Sequence, residues 1–253
     1  MELIIQKHSS LAASTLALIR SSLAVVATAI VSLFLLFSMI ILPKQRAWEF
    51  WLRCWCKTLL HILGVKVLIS GRENIGQRGI YIMNHESIVD ILSLPLVAPK
   101  QASFIAKQEL RSMPFVGLAM QKAGCIFINR KSSKDAIESI REGLREMPEG
   151  YSIFIFPEGT RSEDTQIRVF KKGAFHIAKQ LDLPIIPVVQ VGCAEIALGR
   201  QWVCKPGNVH LQVGAPIWVT ERADAEASVC LEEIRQKMVA MQSASPLLTK
   251  EVL

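Results

Sequence analysis

The stretch Ser21–Leu42, SSLAVVATAIVSLFLLFSMIIL, runs for 22 residues without a charge. In a helix rising about 1.5 Å per residue it reaches about 33 Å, enough to cross a hydrocarbon layer about 30 Å thick. A cleaved leader has an apolar region of only about 7–15 residues. A helix buried in a soluble core rarely stays apolar on every face for about six turns. The run therefore predicts a membrane segment. It either crosses the bilayer or enters it and returns together with residues 9–20.

The next stretch has a different pattern. On a helical wheel over residues 47–63, Trp48, Trp51, Leu52, Trp55, Leu59, Ile62 and Leu63 share one face, while Arg46, Glu49, Arg53 and Lys57 lie opposite. Indole rings on one side and cations on the other suit a helix lying in the lipid headgroup plane. The alternative is an amphipathic helix packed on the protein core. Residues 1–70 hold seven Lys/Arg against two acids, a net of +5 out of the chain's +7. The remaining 22 basic and 20 acidic side chains leave the rest of the protein at +2. A nucleic-acid partner is not expected from so neutral a body. Cations after the apolar run outnumber those before it, which puts the main body on the cytoplasmic side. Six cysteines without a paired framework are expected to be free thiols, in keeping with that side.

Beyond Gly64 short apolar runs alternate with helical periodicity. Strands are predicted at 65–70, 79–83, 102–106, 124–128, 151–156, 185–191 and 209–213. Helices are predicted at 88–96, 113–122, 135–146, 172–181 and 225–242. Buried strands alternating with helices imply an α/β fold, a mixed and largely parallel sheet covered by helices. The expected organisation is a membrane-anchoring helical segment over 1–63, with an apolar helix at 21–42 and a Trp-rich helix at 47–63, followed by one catalytic domain over 64–253.

In open α/β sheets ligands collect beyond the carboxyl ends of strands. Three such ends are polar: Asn84-His85-Glu86-Ser87-Ile88-Val89-Asp90, Asn129-Arg130-Lys131 and Pro157-Glu158-Gly159-Thr160-Arg161-Ser162. In one continuous helix His85 and Asp90 would be about 140° apart and could not meet. If Ser87 caps a helix, His85 stays in the preceding loop and Asp90, in the first turn, can reach back to one imidazole nitrogen. The other nitrogen is then free to act as a base. A plain helix cap beside an incidental histidine is the competing reading. Backbone N–H groups of Gly159 and Thr160 and the fork of Arg161 suit an anion, and Arg130 closes its strand in the same way.

Asn-His-x-Ser-x-x-Asp at 84–90, Gly-x-Ile-Phe-Ile-x-Arg at 124–130, Phe-Pro-Glu-Gly-Thr-Arg-Ser at 156–162 and Pro-Ile-Ile-Pro-Val at 184–188 resemble the four ordered blocks of the glycerolipid acyltransferases. The 1-acylglycerol-3-phosphate acyltransferases are the closest subgroup. The similarity spans roughly residues 65–215 and includes Phe170-Lys171-Lys172-Gly173-Ala174 and Lys107 in Phe-Ile-Ala-Lys-Gln-Glu-Leu. The resemblance implies transfer of an acyl group from acyl-CoA or acyl carrier protein to the hydroxyl of a lysophospholipid in phospholipid biosynthesis. It implies His85 as general base oriented by Asp90. Lys107, Arg130, Glu158, Gly159, Thr160 and Arg161 would bind the substrate, and no metal or cofactor is expected. Asn129 departs from the family, which usually has Asp before the arginine. No Gly-x-Ser-x-Gly elbow is present, which argues against a serine hydrolase. The rival readings are a relative with another lyso-acceptor, and a non-catalytic lipid-binding protein that keeps the fold.

Overall fold

The computed structural model describes residues 2–129, 133–147 and 149–249, so Arg130, expected at a strand end, lies outside the described residues. Two helices come first, α1 Glu2–Ile41 and α2 Lys44–Leu63, with Pro43 at the junction and Gly64, at φ 71°, closing the second. The alternating body follows: β1 Val65–Ser70, β2 Ile80–Met83, α3 Val89–Val97, β3 Ala102–Lys107, α4 Val116–Lys122, β4 Ile126–Ile128, α5 Ser133–Glu146 and β5 Ser152–Ile155. It continues with α6 Gly173–Leu181, β6 Ile185–Val191, α7 Cys193–Ile196, β7 Gly207–Val213, α8 Ala227–Ser243 and α9 Pro246–Thr249.

Among the described residues the strands form a seven-stranded sheet in the order β1-β7-β6-β2-β5-β3-β4. All neighbouring pairs are parallel except β6 with β7. The mixed, largely parallel α/β sheet expected from the sequence is present. Period-2 alternation sends Tyr81, Met83, Ile186 and Val188 into a core beneath α2 and α3. Ile80, Ile82, Ile185 and Val189 enter the opposite core, with Phe175 and Ile177 of α6 and Ile234 and Met238 of α8. Both faces are therefore covered, which is why the strands are apolar throughout.

Two local differences have clear causes. The helix expected from Met113 starts only at Val116, because Pro114 disfavours helical backbone at the preceding residue and Met113 is extended (φ −69°, ψ 129°). The short α7 carries too few periodic residues to be visible in the sequence.

From Ala13 to Ile41, α1 is long and apolar enough to cross a membrane, with a mean hydropathy of 2.7. One stripe of it is nevertheless covered by protein: Ala17, Ser21, Ala24, Ser32, Leu35 and Met39 are buried, at steps of three or four residues with one of eight between Ala24 and Ser32. Small residues along the stripe let neighbouring elements approach closely. The Ser21 hydroxyl accepts the Cys204 N–H at 2.8 Å, and Ala24 joins the core under the sheet. Leu23, Val26, Ile30, Phe37 and Ile41 lie on the opposite side of the helix and are exposed.

The tryptophans of α2 do not form an outward face. Trp51 stacks on Phe34 (centroids 5.5 Å apart), Trp55 Nε1 donates to Thr28 Oγ1 at 3.0 Å, and Trp48 meets Phe104 edge-on. The reading in which this indole face lies in the headgroup plane is thus corrected. The face is taken up by α1 and the sheet, and the exposed aromatic ring of α2 is Phe50. All six cysteines are free thiols.

Candidate active site

Strand order explains how distant blocks meet. β2 lies between β6 and β5, with Ile82 beside Ile155 and Met83 beside Val188. The loop after β2 (84–88) therefore emerges next to the loop after β5 (156–162). β3 is the next strand beyond β5 and carries Lys107 at its end. β4, which leads to Asn129, lies three strands from β2, about 14 Å at the usual strand spacing.

The loop after β2 is built from side chains that replace the sheet ladder. Asn84 Nδ2 donates to Gln190 O at 2.9 Å, and Asn84 Oδ1 accepts Gln190 N at 2.8 Å, so the amide continues the β2–β6 pairing by one step. The chain then turns into α3. Ser87 Oγ accepts the Val89 N–H at 3.1 Å, while Asp90 Oδ2 accepts those of Ser87 (2.8 Å) and Glu86 (2.6 Å). The Ser-x-x-Asp pairing is present, although the helix begins at Val89 and Ile88 forms the junction.

The same Asp90 oxygen lies 2.7 Å from His85 Nδ1. An oxygen already receiving two N–H groups faces Nδ1 as an acceptor. The ring proton therefore sits on Nδ1 and the lone pair on Nε2. His85 and Asp90 are both buried, and the imidazole stacks on Phe156 at 4.0 Å between centroids. The carboxylate is thus both a cap and an orienter, not a cap beside an incidental histidine. Ser93 adds a further tie, its hydroxyl lying within hydrogen-bond contact of Asp90 O and Gln190 Oε1.

Glu158 holds the histidine loop from the other side. Its Oε1 accepts the His85 N–H at 3.0 Å and its Oε2 the Arg168 N–H at 3.2 Å. The His85 carbonyl accepts the Ser162 N–H at 2.7 Å, so the backbone of His85 is clamped at both its N–H and its C=O. Burial pushes the Glu158 carboxyl up to about 7 against these hydrogen bonds. Glu86 is pushed further, to about 8, chiefly by burial and then by the neighbouring Asp90 carboxylate, while the Asn84 amide opposes the change.

The histidine opens on a cavity of about 680 Å³, within the range of about 300–1,000 Å³ usual for small-molecule sites. Much of its lining is apolar: Val31 and Leu35 of α1, Trp48, Trp51 and Trp55 of α2, Leu94, Phe104 and Ala119. The buried His85 also lines it, and Lys107, Thr160, Arg161, Glu163 and Arg200, all exposed or partly exposed, form its rim. The site therefore combines a carboxylate-held imidazole, an apolar lining and a cationic rim.

The expected binding residues are distributed as follows. Arg161 is partly buried and donates through Nη1 to Gly199 O at 3.0 Å; burial lowers its pKa, which the nearby Asp90 charge opposes. Thr160 is an exposed member of the rim. Gly159, at φ 74°, makes the turn after the strand, and its N–H donates to Phe156 O at 3.1 Å. Lys107 is on the rim and paired with Glu109 at 3.0 Å, each about half exposed. Asn84, Gln190 and Ser93 were missed as supports of the dyad, and Arg200 as a rim cation. Asn84 opens the first block and could have been found there; Gln190, Ser93 and Arg200 belong to none of the blocks.

A family model described as Acyltransferase matches residues 66–191. The 1-acyl-sn-glycerol-3-phosphate acyltransferase of Saccharomyces cerevisiae is 31% identical over 191 residues, 74% of this chain and 63% of that protein. That of Cocos nucifera is 34% identical over 197 residues, covering 77% and 64% respectively. The alpha enzyme of Homo sapiens is 30% identical over 189 residues, 72% of this chain and 67% of the relative. The chain thus spans 63% and 64% of the length of the yeast and coconut relatives. The crystal structure of the 1-acyl-sn-glycerophosphate (LPA) acyltransferase PlsC from Thermotoga maritima superposes with a TM-score of 0.78 at 26% identity, covering 91% of this chain and 96% of that one.

Proposed function

This chain belongs to the acyltransferase family, and on that premise we propose that it transfers a fatty acyl group from a thioester donor, acyl-CoA or acyl carrier protein, to the sn-2 hydroxyl of lysophosphatidic acid, giving phosphatidic acid. The observation that carries the proposal is the 2.7 Å contact of His85 Nδ1 with Asp90 in the wall of a cavity with an apolar interior and a cationic rim. The acceptor hydroxyl gives its proton to His85 Nε2 as its oxygen attacks the thioester carbonyl. Asp90 holds the ring and faces the imidazolium that forms. The tetrahedral intermediate collapses with cleavage of the C–S bond, and the imidazolium returns the proton to the departing thiolate. Ester, thiol and neutral histidine result, and no covalent acyl-enzyme or cofactor takes part. Arg161 and Lys107, with Thr160 beside them, are proposed to bind the acceptor at the rim. Arg130 is proposed to contribute to the same charge, and the turn at Gly159 to position the loop.

Residues 1–63 are proposed as the membrane anchor and 64–253 as the catalytic domain. The outward apolar side of α1 supports lipid contact, since patches of that extent are rare on soluble monomers. The excess of cations after the apolar run supports a catalytic domain facing the cytoplasm. Because Val31, Leu35 and Trp51 also line the cavity, the anchor would bring the acyl pocket and the bilayer together.

The test is acyl transfer by the purified full-length protein from radiolabelled oleoyl-CoA to a panel of lysophospholipids. Phosphatidic acid should be the main product. Preferential acylation of lysophosphatidylcholine, or no transfer to any member of the panel, would overturn the reading.

A further inference from the structure

Arg200 lies outside the four sequence blocks, yet it stands on the same rim as Arg161. The turn that carries it is fixed to both sides of the site. Gly199 N donates to Glu86 O at 2.9 Å, next to the histidine, and Gly199 O accepts Arg161 Nη1 at 3.0 Å. Gln201 N closes the turn on Leu198 O at 3.1 Å, with Gly199 in the left-handed region at φ 61°. The backbone of Arg200 is therefore set by the catalytic loops, although its side chain is exposed.

Two guanidinium groups on one rim repel each other. Among the described residues, neither is paired with a carboxylate within 4.0 Å. The Lys171 ammonium packs nearby against Gly159, 2.7 Å from where a Cβ would stand, and Glu163 is the acid on the rim. The two arginines act on each other electrostatically, and the acids near them are Glu163 on the rim and Asp90, which already faces the histidine. Like charges held together by hydrogen bonds to one turn are arranged for an external anion. Two planar forks suit an oxyanion with several acceptor oxygens.

We propose that Arg200 is a further phosphate ligand, joining Arg161 to hold a phosphate monoester at the mouth of the cavity. The proposal rests on the acyltransferase reading and makes it narrower. A monoester carries up to two negative charges and three terminal oxygens, whereas the diester of a substituted headgroup carries one charge and two. The pair of arginines thus selects for the monoester. Within the reaction that group is supplied by the lysophosphatidic acid headgroup or by the 3′-phosphate of a coenzyme A donor.

The test is steady-state kinetics of the full-length wild type, Arg200→Gln and Arg200→Lys in one detergent and salt. The KM for lysophosphatidic acid is measured at saturating oleoyl-CoA, and the KM for oleoyl-CoA and 3′-dephospho-oleoyl-CoA at saturating acceptor. With an exposed side chain, the low end of the charged hydrogen-bond range applies, so Arg200→Gln should raise the acceptor KM about tenfold. The KM for either donor should stay within about twofold, kcat should be little changed, and Arg200→Lys should restore part of the loss. A rise confined to oleoyl-CoA and absent for its dephospho form would support the phosphate site while assigning it to the donor. Unchanged KM values for all substrates would overturn it. Failure of the underlying reading would look different: wild type would not acylate lysophosphatidic acid at all. Binding of glycerol 3-phosphate to wild type and Arg200→Gln would then decide the phosphate site, and equal affinities would refute it.

Discussion

Replacing Asp90 by asparagine separates the charge of this residue from its geometry, because one oxygen serves three donors. Oδ2 receives His85 Nδ1, Glu86 N and Ser87 N at 2.7, 2.6 and 2.8 Å. An asparagine that turned its NH2 toward the ring would leave both backbone N–H groups facing a donor. Orphaning a buried donor costs about 1–3 kcal/mol, so reversing the amide would cost about 2–6 kcal/mol. The amide oxygen should therefore stay where Oδ2 was, and the histidine should keep its proton on Nδ1. What is lost is the negative charge facing the imidazolium. The difference between a neutral and a charged hydrogen bond is about 1–2 kcal/mol, or about a 5- to 30-fold fall in kcat. The assay is thiol release from oleoyl-CoA at saturating lysophosphatidic acid, with Tm measured alongside. A loss beyond about a thousandfold at unchanged Tm would mean that the amide reverses and the tautomer with it. A kcat equal to wild type would show that the Asp90 charge does not act on the transition state.

Two further outcomes follow from the same geometry. Glu86 stays protonated up to about 8 in the folded protein, against an ordinary value of 4.5, so between these pH values the folded state binds more protons than the unfolded one and stability falls as pH rises. The Tm of wild type in detergent should be lower at pH 8.5 than at pH 5.5, and Glu86→Gln should reduce that difference; an undiminished slope in the variant would reject Glu86 as its source. Deleting residues 1–63 removes the outward apolar side of α1 and the α1 and α2 walls of the cavity. The product should leave the membrane fraction or aggregate and lose transfer from long-chain donors; full membrane partitioning with wild-type turnover would contradict the anchor.

The sheet was legible because its strands are short apolar runs bounded by Gly, Pro and polar residues. Their neighbours in space were not. Nothing local in 80–83 or 152–155 states that these strands pair, yet that pairing brings His85 beside Glu158. The His85–Asp90 contact could be derived because it depends only on where a helix starts. The role of Glu158 could not, because its partners are backbone N–H groups at His85 and Arg168, which any residue would supply. The inward turn of the α2 tryptophans depends on α1, whose small residues at 17, 21, 24 and 32 mark a packed seam inside a run otherwise fit for lipid. That spacing was visible in the sequence and was the available signal. Arg200 had none, since its importance comes from a turn tied to two loops more than thirty residues upstream.

The most direct measurement compares the purified wild type with His85→Ala for the rate of phosphatidic acid formation from lysophosphatidic acid and oleoyl-CoA. Circular dichroism and Tm serve to verify that both are folded. A positioned general base contributes about 10²–10⁴-fold, so the variant should fall by at least about a hundredfold while remaining folded. A folded His85→Ala protein that kept more than about a tenth of the wild-type rate would contradict the assignment of His85 as the base.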